Sequence, residues 1–123
     1  MKYFSFIPLR GGSKGLKNKN ILKFNNRELY LHTVDQALRT TEKCFISTDI
    51  RSIISRKFDK KIQVFKRKKY LSGDEVLMKD VIFDFLSNNL TEESNIILLQ
   101  ATSPLRSDED IIQCKKLFNT GKF

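Results

Sequence analysis

The sequence predicts an α/β fold, in which a mostly parallel β-sheet lies between two layers of helices. Short apolar runs typical of strands alternate with longer segments in which apolar residues recur at helical spacing. The run at 95–100 is apolar almost throughout, which favours a parallel strand buried on both faces. Because no linker, repeat or low-complexity segment interrupts the chain, we expect one domain over residues 1–123.

Four strands and four helices follow one another along the chain. The strands are predicted at 3–9, 44–47, 62–65 and 95–100, and the helices at 29–38, 50–58, 76–86 and from 108 onward. Asp49 directly precedes the second helix, so we predict that it caps this helix rather than contacting a ligand. The acidic residues at 108–110 complement the dipole of the last helix.

The first strand runs directly into a basic, glycine-rich segment at 10–20. Its three glycines allow the backbone to turn tightly and to approach a ligand. Cations and short polar side chains are interleaved with them, at Arg10, Ser13, Lys14, Lys17, Asn18, Lys19 and Asn20. Such loops hold phosphates through backbone N–H groups and positive charge. The alternative is a solvated basic loop, and a Walker A motif does not fit.

Two stretches resemble the acylneuraminate cytidylyltransferases, the CMP-sialic acid synthetases. Residues 7–21 read Ile-Pro-Leu-Arg-Gly-Gly-Ser-Lys-Gly-Leu-Lys-Asn-Lys-Asn-Ile, close to the family's Ile-Pro-Ala-Arg-Gly-Gly-Ser-Lys-Gly-Leu-Pro-x-Lys-Asn-Ile. Residues 98–106 read Leu-Leu-Gln-Ala-Thr-Ser-Pro-Leu-Arg, against Leu-Leu-Gln-Pro-Thr-Ser-Pro-Leu-Arg in the family. Leu9 replaces a small residue and is expected to crowd the loop, while Lys17 replaces a proline and loosens it.

The resemblance implies a three-layer, Rossmann-like fold of the nucleotide-diphospho-sugar transferase type. It also implies a reaction in which the anomeric hydroxyl of a nonulosonic acid attacks the α-phosphate of CTP. The products are the CMP-sugar and pyrophosphate. The implied partners are CTP and an acidic nine-carbon sugar, with Mg²⁺ as cofactor and neither nucleic acid nor a membrane.

Site residues are carried over position by position from these two stretches. For Arg67 the match is residues 67–74, which read Arg-Lys-Lys-Tyr-Leu-Ser-Gly-Asp against the family's Arg-Pro-x-x-Leu-Ala-x-Asp. Arg10 and Lys19 are the implied catalytic residues. The implied nucleotide-binding residues are Arg10, Gly11, Gly12, Ser13, Lys14, Lys19, Asn20, Arg67 and Gln100. Gln100 and Arg106 are the implied sugar-binding residues; the amide of Gln100 both donates and accepts, so it suits a cytosine or ribose edge as well. The alternative for Arg106 is a structural turn with an ion pair.

The resemblance covers only the N-terminal half of the family's length. We therefore expect the metal ligands, much of the sugar pocket and the dimerisation element of the homodimeric full-length relatives to lie outside this chain. A site without its metal loses several kcal/mol of transition-state stabilisation, so the chain alone is expected to be a poor catalyst. A truncated sheet also leaves an unpaired edge.

Other readings remain open at this point. A sister enzyme acting on legionaminic, pseudaminic or ketodeoxyoctonic acid is one, and an inactive fragment is another. The net charge of +9 also permits a basic nucleic-acid-binding module. Against that module, the aromatic residues lie in apolar runs and are not interleaved with the basic residues as stacking platforms.

Cysteine usage and the N-terminus predict a cytoplasmic protein. Cys44 and Cys114 share no metal-ligand spacing with each other or with the single His32, so two free thiols are expected. The apolar run before Arg10 is too short for a signal peptide, and no run approaches transmembrane length.

Overall fold

The computed structural model describes residues 2–11, 23–24, 27–72, 77–89, 94–101 and 106–121. The described strands are β1 (Tyr3–Leu9), β2 (Lys23–Phe24), β3 (Arg27–Glu28), β4 (Lys43–Thr48), β5 (Ile62–Lys66) and β6 (Asn95–Leu98). The helices are α1 (Leu29–Thr40), α2 (Arg51–Ile54), α3 (Met78–Asn89) and α4 (Asp108–Thr120), with a short 3-10 helix at Lys69–Leu71.

The main sheet has four strands in the order β5-β4-β1-β6, and every neighbouring pair is parallel. β2 and β3 form a separate antiparallel pair. The chain moves outward from β1 through β4 to β5, and then crosses to the other side of β1 to form β6. This reversal creates a switch point between β1 and β6, where parallel α/β sheets bind ligands outside the carboxyl ends of the strands.

Two apolar cores cover the two faces of the sheet. On one face, Ile7 and Leu9 of β1 pack with buried residues of α1, α2 and α4. On the other face, Phe4, Phe6 and Phe45 pack against Val81 and Phe85 of α3. The alternation along β1 sends successive side chains to opposite faces. The predicted three-layer architecture is therefore confirmed.

The fourth predicted strand is less buried than its sequence indicated. β6 ends at Leu98, and within the described sheet it pairs only with β1. Ile96 and Ile97 are half-buried, and Leu98 is 38% exposed. The prediction of burial on both faces is wrong, because an edge strand lacks the neighbour that would cover its outer side.

The prediction for Asp49 as a helix cap is also wrong. The helix predicted at 50–58 is the four-residue α2, and its N-cap position is Ile50, with no side-chain cap. The backbone N–H of Ile50 instead donates to the Oγ1 of Thr48 at 3.0 Å, which turns the chain directly after β4. The Asp49 carboxylate is therefore free of a capping role.

The acidic first turn of α4 makes specific contacts in addition to its dipole effect. Ser107 and Asp110 form a capping box, in which each side chain accepts a hydrogen bond from the other's backbone N–H. Arg39 of α1 donates to both carboxylate oxygens of Asp108 and lowers the pKa of Asp108. These contacts fix the start of α4 against α1.

Replacing Ser107 by alanine should remove an N-cap and destabilise the protein by about 1 kcal/mol. Ser107→Asp should retain most of the stability, because its carboxylate also accepts the Asp110 N–H. Urea unfolding followed by circular dichroism measures the difference, with Ser52→Ala on the exposed side of α2 as the matched control. Equal stability of Ser107→Ala and the parent chain would contradict the capping role.

The two cysteines should differ sharply in reactivity. Cys44 lies in β4 with no exposed surface, and burial raises the pKa of its thiol from 9.0 to about 11, whereas Cys114 is exposed. At pH 8 a thiol reagent should label only Cys114 in the folded protein and both in urea. Because burial favours the protonated thiol in the folded state, protonated Cys44 contributes to the free energy of unfolding. This contribution is fully present below pH 9 and is lost as the pH rises to about 11. Labelling of Cys44 at the rate of Cys114 would contradict its burial.

Candidate functional site

Three charged residues directly follow three adjacent strands. Arg10 follows β1, Asp49 follows β4 and Arg67 follows β5. The strand registers pair Leu9 with Thr48, and Thr48 with the last residue of β5, so the three strands end at one level. The carboxyl edge of the sheet thus brings together residues that are far apart in sequence.

A hydrogen bond joins the end of β1 to the end of β4. The backbone N–H of Gly11 donates to the Oδ1 of Asp49 at 2.8 Å. Gly11 is the first glycine of the basic, glycine-rich segment. The carboxylate therefore holds the point at which this segment leaves the sheet.

Arg67 is a buried cation beside this hydrogen bond. Its side chain is 7% exposed, and its Nε and Nη2 atoms donate to the hydroxyl and carbonyl oxygens of Ser47, each at 3.3 Å. Burial lowers the pKa of Arg67, Asp49 raises it, and Arg10 lowers it. Two guanidinium groups and one carboxylate thus interact here, which leaves a net positive charge suited to an anion.

An open cleft of about 610 Å³ adjoins Arg67. Its lining carries three cationic side chains against a single carboxylate. The lining residues are Asp49, Arg51, Ile54, Ser55, Lys66, Arg67 and Ser72. The cleft provides room and positive potential for a phosphorylated ligand.

Gln100 and Arg106 lie on the β6 side of the switch point. The Gln100 side chain is exposed two residues beyond β6. Arg106 donates to the backbone oxygen of Gln100 at 3.4 Å, the Oε1 of Gln36 at 3.2 Å and the Oγ1 of Thr33 at 3.5 Å. The Gln36 amide donates to the backbone oxygen of Arg106 in return.

These contacts bind Arg106 to α1, and burial lowers the pKa of Arg106. The hydrogen-bond partners of its guanidinium that the structure describes are neutral acceptors, while the charge of Asp110 favours the charged form of Arg106. Its contact with the backbone of Gln100 helps to fix the loop after β6. The predicted role of Arg106 in binding a sugar carboxylate stays a prediction.

The structure brings together part of the predicted nucleotide site. Arg10, Gly11 and Arg67 meet at one edge of the sheet, and Gln100 follows the strand on the other side of β1. The remaining predicted residues lie outside the described part of the chain: Gly12, Ser13, Lys14, Lys19 and Asn20.

The side chain of Leu9 has no exposed surface and packs in the first core. Its predicted effect on the loop concerns residues outside the described part of the chain and stays a prediction. Asp49 is a site residue that the sequence analysis assigned elsewhere. The available signal in the sequence was that Asp49 follows closely after a predicted strand.

No group of three or more metal-ligating side chains lies together in the described parts of the chain. Asp49, the carboxylate in the cleft, accepts the Gly11 N–H. These residues do not fit a Mg²⁺ site by themselves. Of the helices described, none is both long and apolar enough to span a membrane.

A cationic cleft at the carboxyl edge of a parallel α/β sheet is typical of nucleotide-binding proteins. Residues 5–120 match the profile of the family described as cytidylyltransferase, and the chain belongs to that family.

Individual relatives agree with this assignment. The N-acylneuraminate cytidylyltransferase of Streptococcus agalactiae serotype V is 34% identical over 124 residues, covering 98% of this chain and 30% of that protein. The CMP-N,N'-diacetyllegionaminic acid synthase of Campylobacter jejuni is 34% identical over 106 residues, covering 80% of this chain and 45% of that protein. The chain thus spans less than half the length of either relative.

A solved structure shares the fold. The CMP:2-keto-3-deoxy-manno-octonic acid synthetase complexed with CTP superposes with a TM-score of 0.70 at 19% identity. The match covers 97% of this chain and 48% of that one. At this identity the likeness establishes the α/β fold alone.

Replacing Arg67 by lysine should test how this cation is held. Lysine keeps the charge but cannot direct two N–H groups at the two acceptors of Ser47, so we expect a loss of about 1–3 kcal/mol in unfolding free energy. Urea unfolding at pH 7 measures it, with Arg51→Lys on the exposed side of the cleft as the control. A loss no larger than that of the control would argue against the buried hydrogen bonds.

Proposed function

We propose that this protein takes part in cytidylyl transfer, binding CTP and supporting its reaction with an acidic nine-carbon sugar such as N-acetylneuraminate. The observation that carries the proposal is the cationic group of Arg10 and Arg67 beside Gly11, in a chain that belongs to the cytidylyltransferase family. The phosphates of CTP are the matching anion.

In the proposed reaction, the anomeric oxygen of the sugar forms a bond to the α-phosphorus of CTP. The bond from that phosphorus to the bridging oxygen of the β-phosphate breaks, and pyrophosphate leaves. The hydroxyl proton passes to a base that is not assigned to any residue. Such transfers depend mainly on positioning and charge neutralisation.

The roles of the residues follow from their chemistry. Arg10 and Lys19 neutralise charge on the transferring phosphate, and Arg67 adds a fixed positive charge at the carboxyl edge. Gln100, on the other side of the switch point, hydrogen-bonds the cytosine or the ribose. Arg106 orients the backbone of Gln100, and its guanidinium binds the carboxylate of the acidic sugar.

Mg²⁺ supplies further neutralisation of the phosphates in the proposed reaction. Since the described residues do not fit a metal site, we assign no step to it. We propose that its ligands belong to a part of the relatives that this chain does not cover. A CTP-dependent activity also fits a cytoplasmic location, where the nucleotide is made.

The identity of the sugar stays at the level of its class. The neuraminate and legionaminic acid enzymes are each 34% identical to this chain, over 98% and 80% of it respectively. Both enzymes are named for acidic nonulosonic sugars. We therefore propose that class, and favour neuraminate or legionaminate within it because of the Ser-Lys-Gly-Leu sequence.

The first test is a thermal-shift titration with CTP, ATP and GTP, with and without Mg²⁺. A ligand at a free concentration of 100 times its Kd stabilises a protein by about 2.7 kcal/mol, which gives a measurable rise in Tm. CTP should stabilise the chain more than ATP or GTP. Absence of any nucleotide effect, or RNA binding that falls steeply with salt, would refute the proposal.

Two variants should separate recognition of the phosphates from recognition of the base. Arg10→Ala should weaken the binding of all three nucleotides by about tenfold or more, because it removes a charge-assisted contact. Gln100→Ala should weaken the binding of CTP and reduce the preference of the protein for CTP over ATP. Lys116→Ala and Gln113→Ala on the exposed side of α4 are the matched controls. Equal effects of each variant and its control would contradict these roles.

A further inference from the structure

Asp49 occupies a central position among the three strand ends. On one side it accepts the Gly11 N–H at 2.8 Å, and on the other its charge acts on the buried Arg67. The two segments that it interacts with follow β1 and β5, which are not neighbours in the sheet. A single side chain after β4 therefore influences both.

The backbone around Asp49 is itself well fixed. Thr48 is fully buried; its Oγ1 accepts the Ile50 N–H, and its carbonyl oxygen accepts the Arg67 N–H at 2.7 Å. The main chain before and after Asp49 is thus tied to the sheet. A carboxylate on such a fixed backbone can hold a neighbouring loop in one place.

The charge of Asp49 at first sight opposes the proposed ligand. A carboxylate beside a phosphate site repels the phosphates, so by simple electrostatics its loss should improve binding. Its hydrogen bond acts in the opposite sense, because it fixes the backbone at Gly11 next to the two arginine side chains. The two effects predict opposite signs for the same substitution.

We infer that Asp49 is a positioning residue, whose carboxylate holds the backbone at Gly11 beside Arg10 and Arg67 and so supports binding of the phosphates of a nucleoside triphosphate. It acts through its hydrogen bond to Gly11 and through its charge, which reduces the repulsion between Arg67 and Arg10. The inference rests on the proposed function for the identity of the ligand, and on the Gly11–Asp49 contact for its geometry.

The test compares Asp49→Ala with Asp49→Asn in the 123-residue chain. Alanine removes both the acceptor and the charge, whereas asparagine removes the charge and keeps an oxygen that accepts the Gly11 N–H. Asp59→Ala is the control. Asp59 also accepts a backbone hydrogen bond, from the Lys61 N–H at 2.9 Å, but in a turn that takes no part in the site.

The first readout is amide hydrogen exchange at Gly11, followed by NMR without ligand. In Asp49→Ala the Gly11 amide should exchange about tenfold faster or more, as expected for loss of a hydrogen bond. In Asp49→Asn and in the control it should stay protected. Unchanged protection of Gly11 in Asp49→Ala overturns the inference.

The second readout is the Kd for CTP compared with the Kd for cytidine, which lacks phosphates. Asp49→Ala should raise the Kd for CTP about tenfold and leave that for cytidine unchanged, while Asp49→Asn should stay within about twofold of the parent for both. Tighter CTP binding in both variants means that Asp49 acts only as a repelling charge, and overturns the inference. A parallel loss of cytidine binding means a general structural role, and overturns it too.

The two proposals fail in different ways. If the parent chain binds no CTP, the proposed function fails, while Gly11 exchange still decides whether Asp49 holds the loop. If CTP binds but Gly11 exchange does not respond to Asp49→Ala, the proposed function stands and the positioning role fails.

Discussion

Parallel pairing of β1 with β4 is the constraint on which the site depends. The register sets Leu9 opposite Thr48, so the glycine-rich segment leaves the sheet beside the turn that carries Asp49. A slip of this register by one residue would turn the side chains of β4 to the opposite face and move Asp49 away from Gly11. The buried apolar side chains on both faces of β1 make such a slip costly. Packing of the cores therefore fixes the geometry of the polar edge.

The carboxyl edge of the sheet holds a buried charge, and burying it is unfavourable unless the surrounding structure supplies fixed partners. A buried guanidinium loses its hydration, and the contacts of Arg67 with Ser47 and the nearby charge of Asp49 offset part of that loss. An anionic ligand would offset more of it. A site that holds a cation before the ligand arrives needs little reorganisation when a phosphate binds, which is the arrangement that favours charge stabilisation in phosphoryl and nucleotidyl transfer. The same residues therefore contribute to stability and to the proposed binding of an anion.

Helix α1 links the two sides of the switch point. It packs on β1 through the first core, and its polar residues Thr33 and Gln36 accept hydrogen bonds from Arg106. The salt bridge from Arg39 to Asp108 fixes the start of α4 to the same helix. The loop that carries Gln100 is therefore anchored to the element that also covers the strand leading to Gly11. This connection gives the proposed base-recognition side and the proposed phosphate side a common support.

Local sequence determined the strands, the main helices and the family signature, because apolar periodicity and glycine-rich motifs are properties of neighbouring residues. It placed Arg10, Gly11, Arg67 and Gln100 at strand ends, and it predicted the alternation that produces the three layers. It did not determine that α2 is only one turn long, or that Asp49 contacts Gly11. These features depend on strand order and register, which bring residues 38 positions apart to hydrogen-bonding distance. Only the tertiary structure could decide whether the Asp49 carboxylate meets a helix or a neighbouring loop.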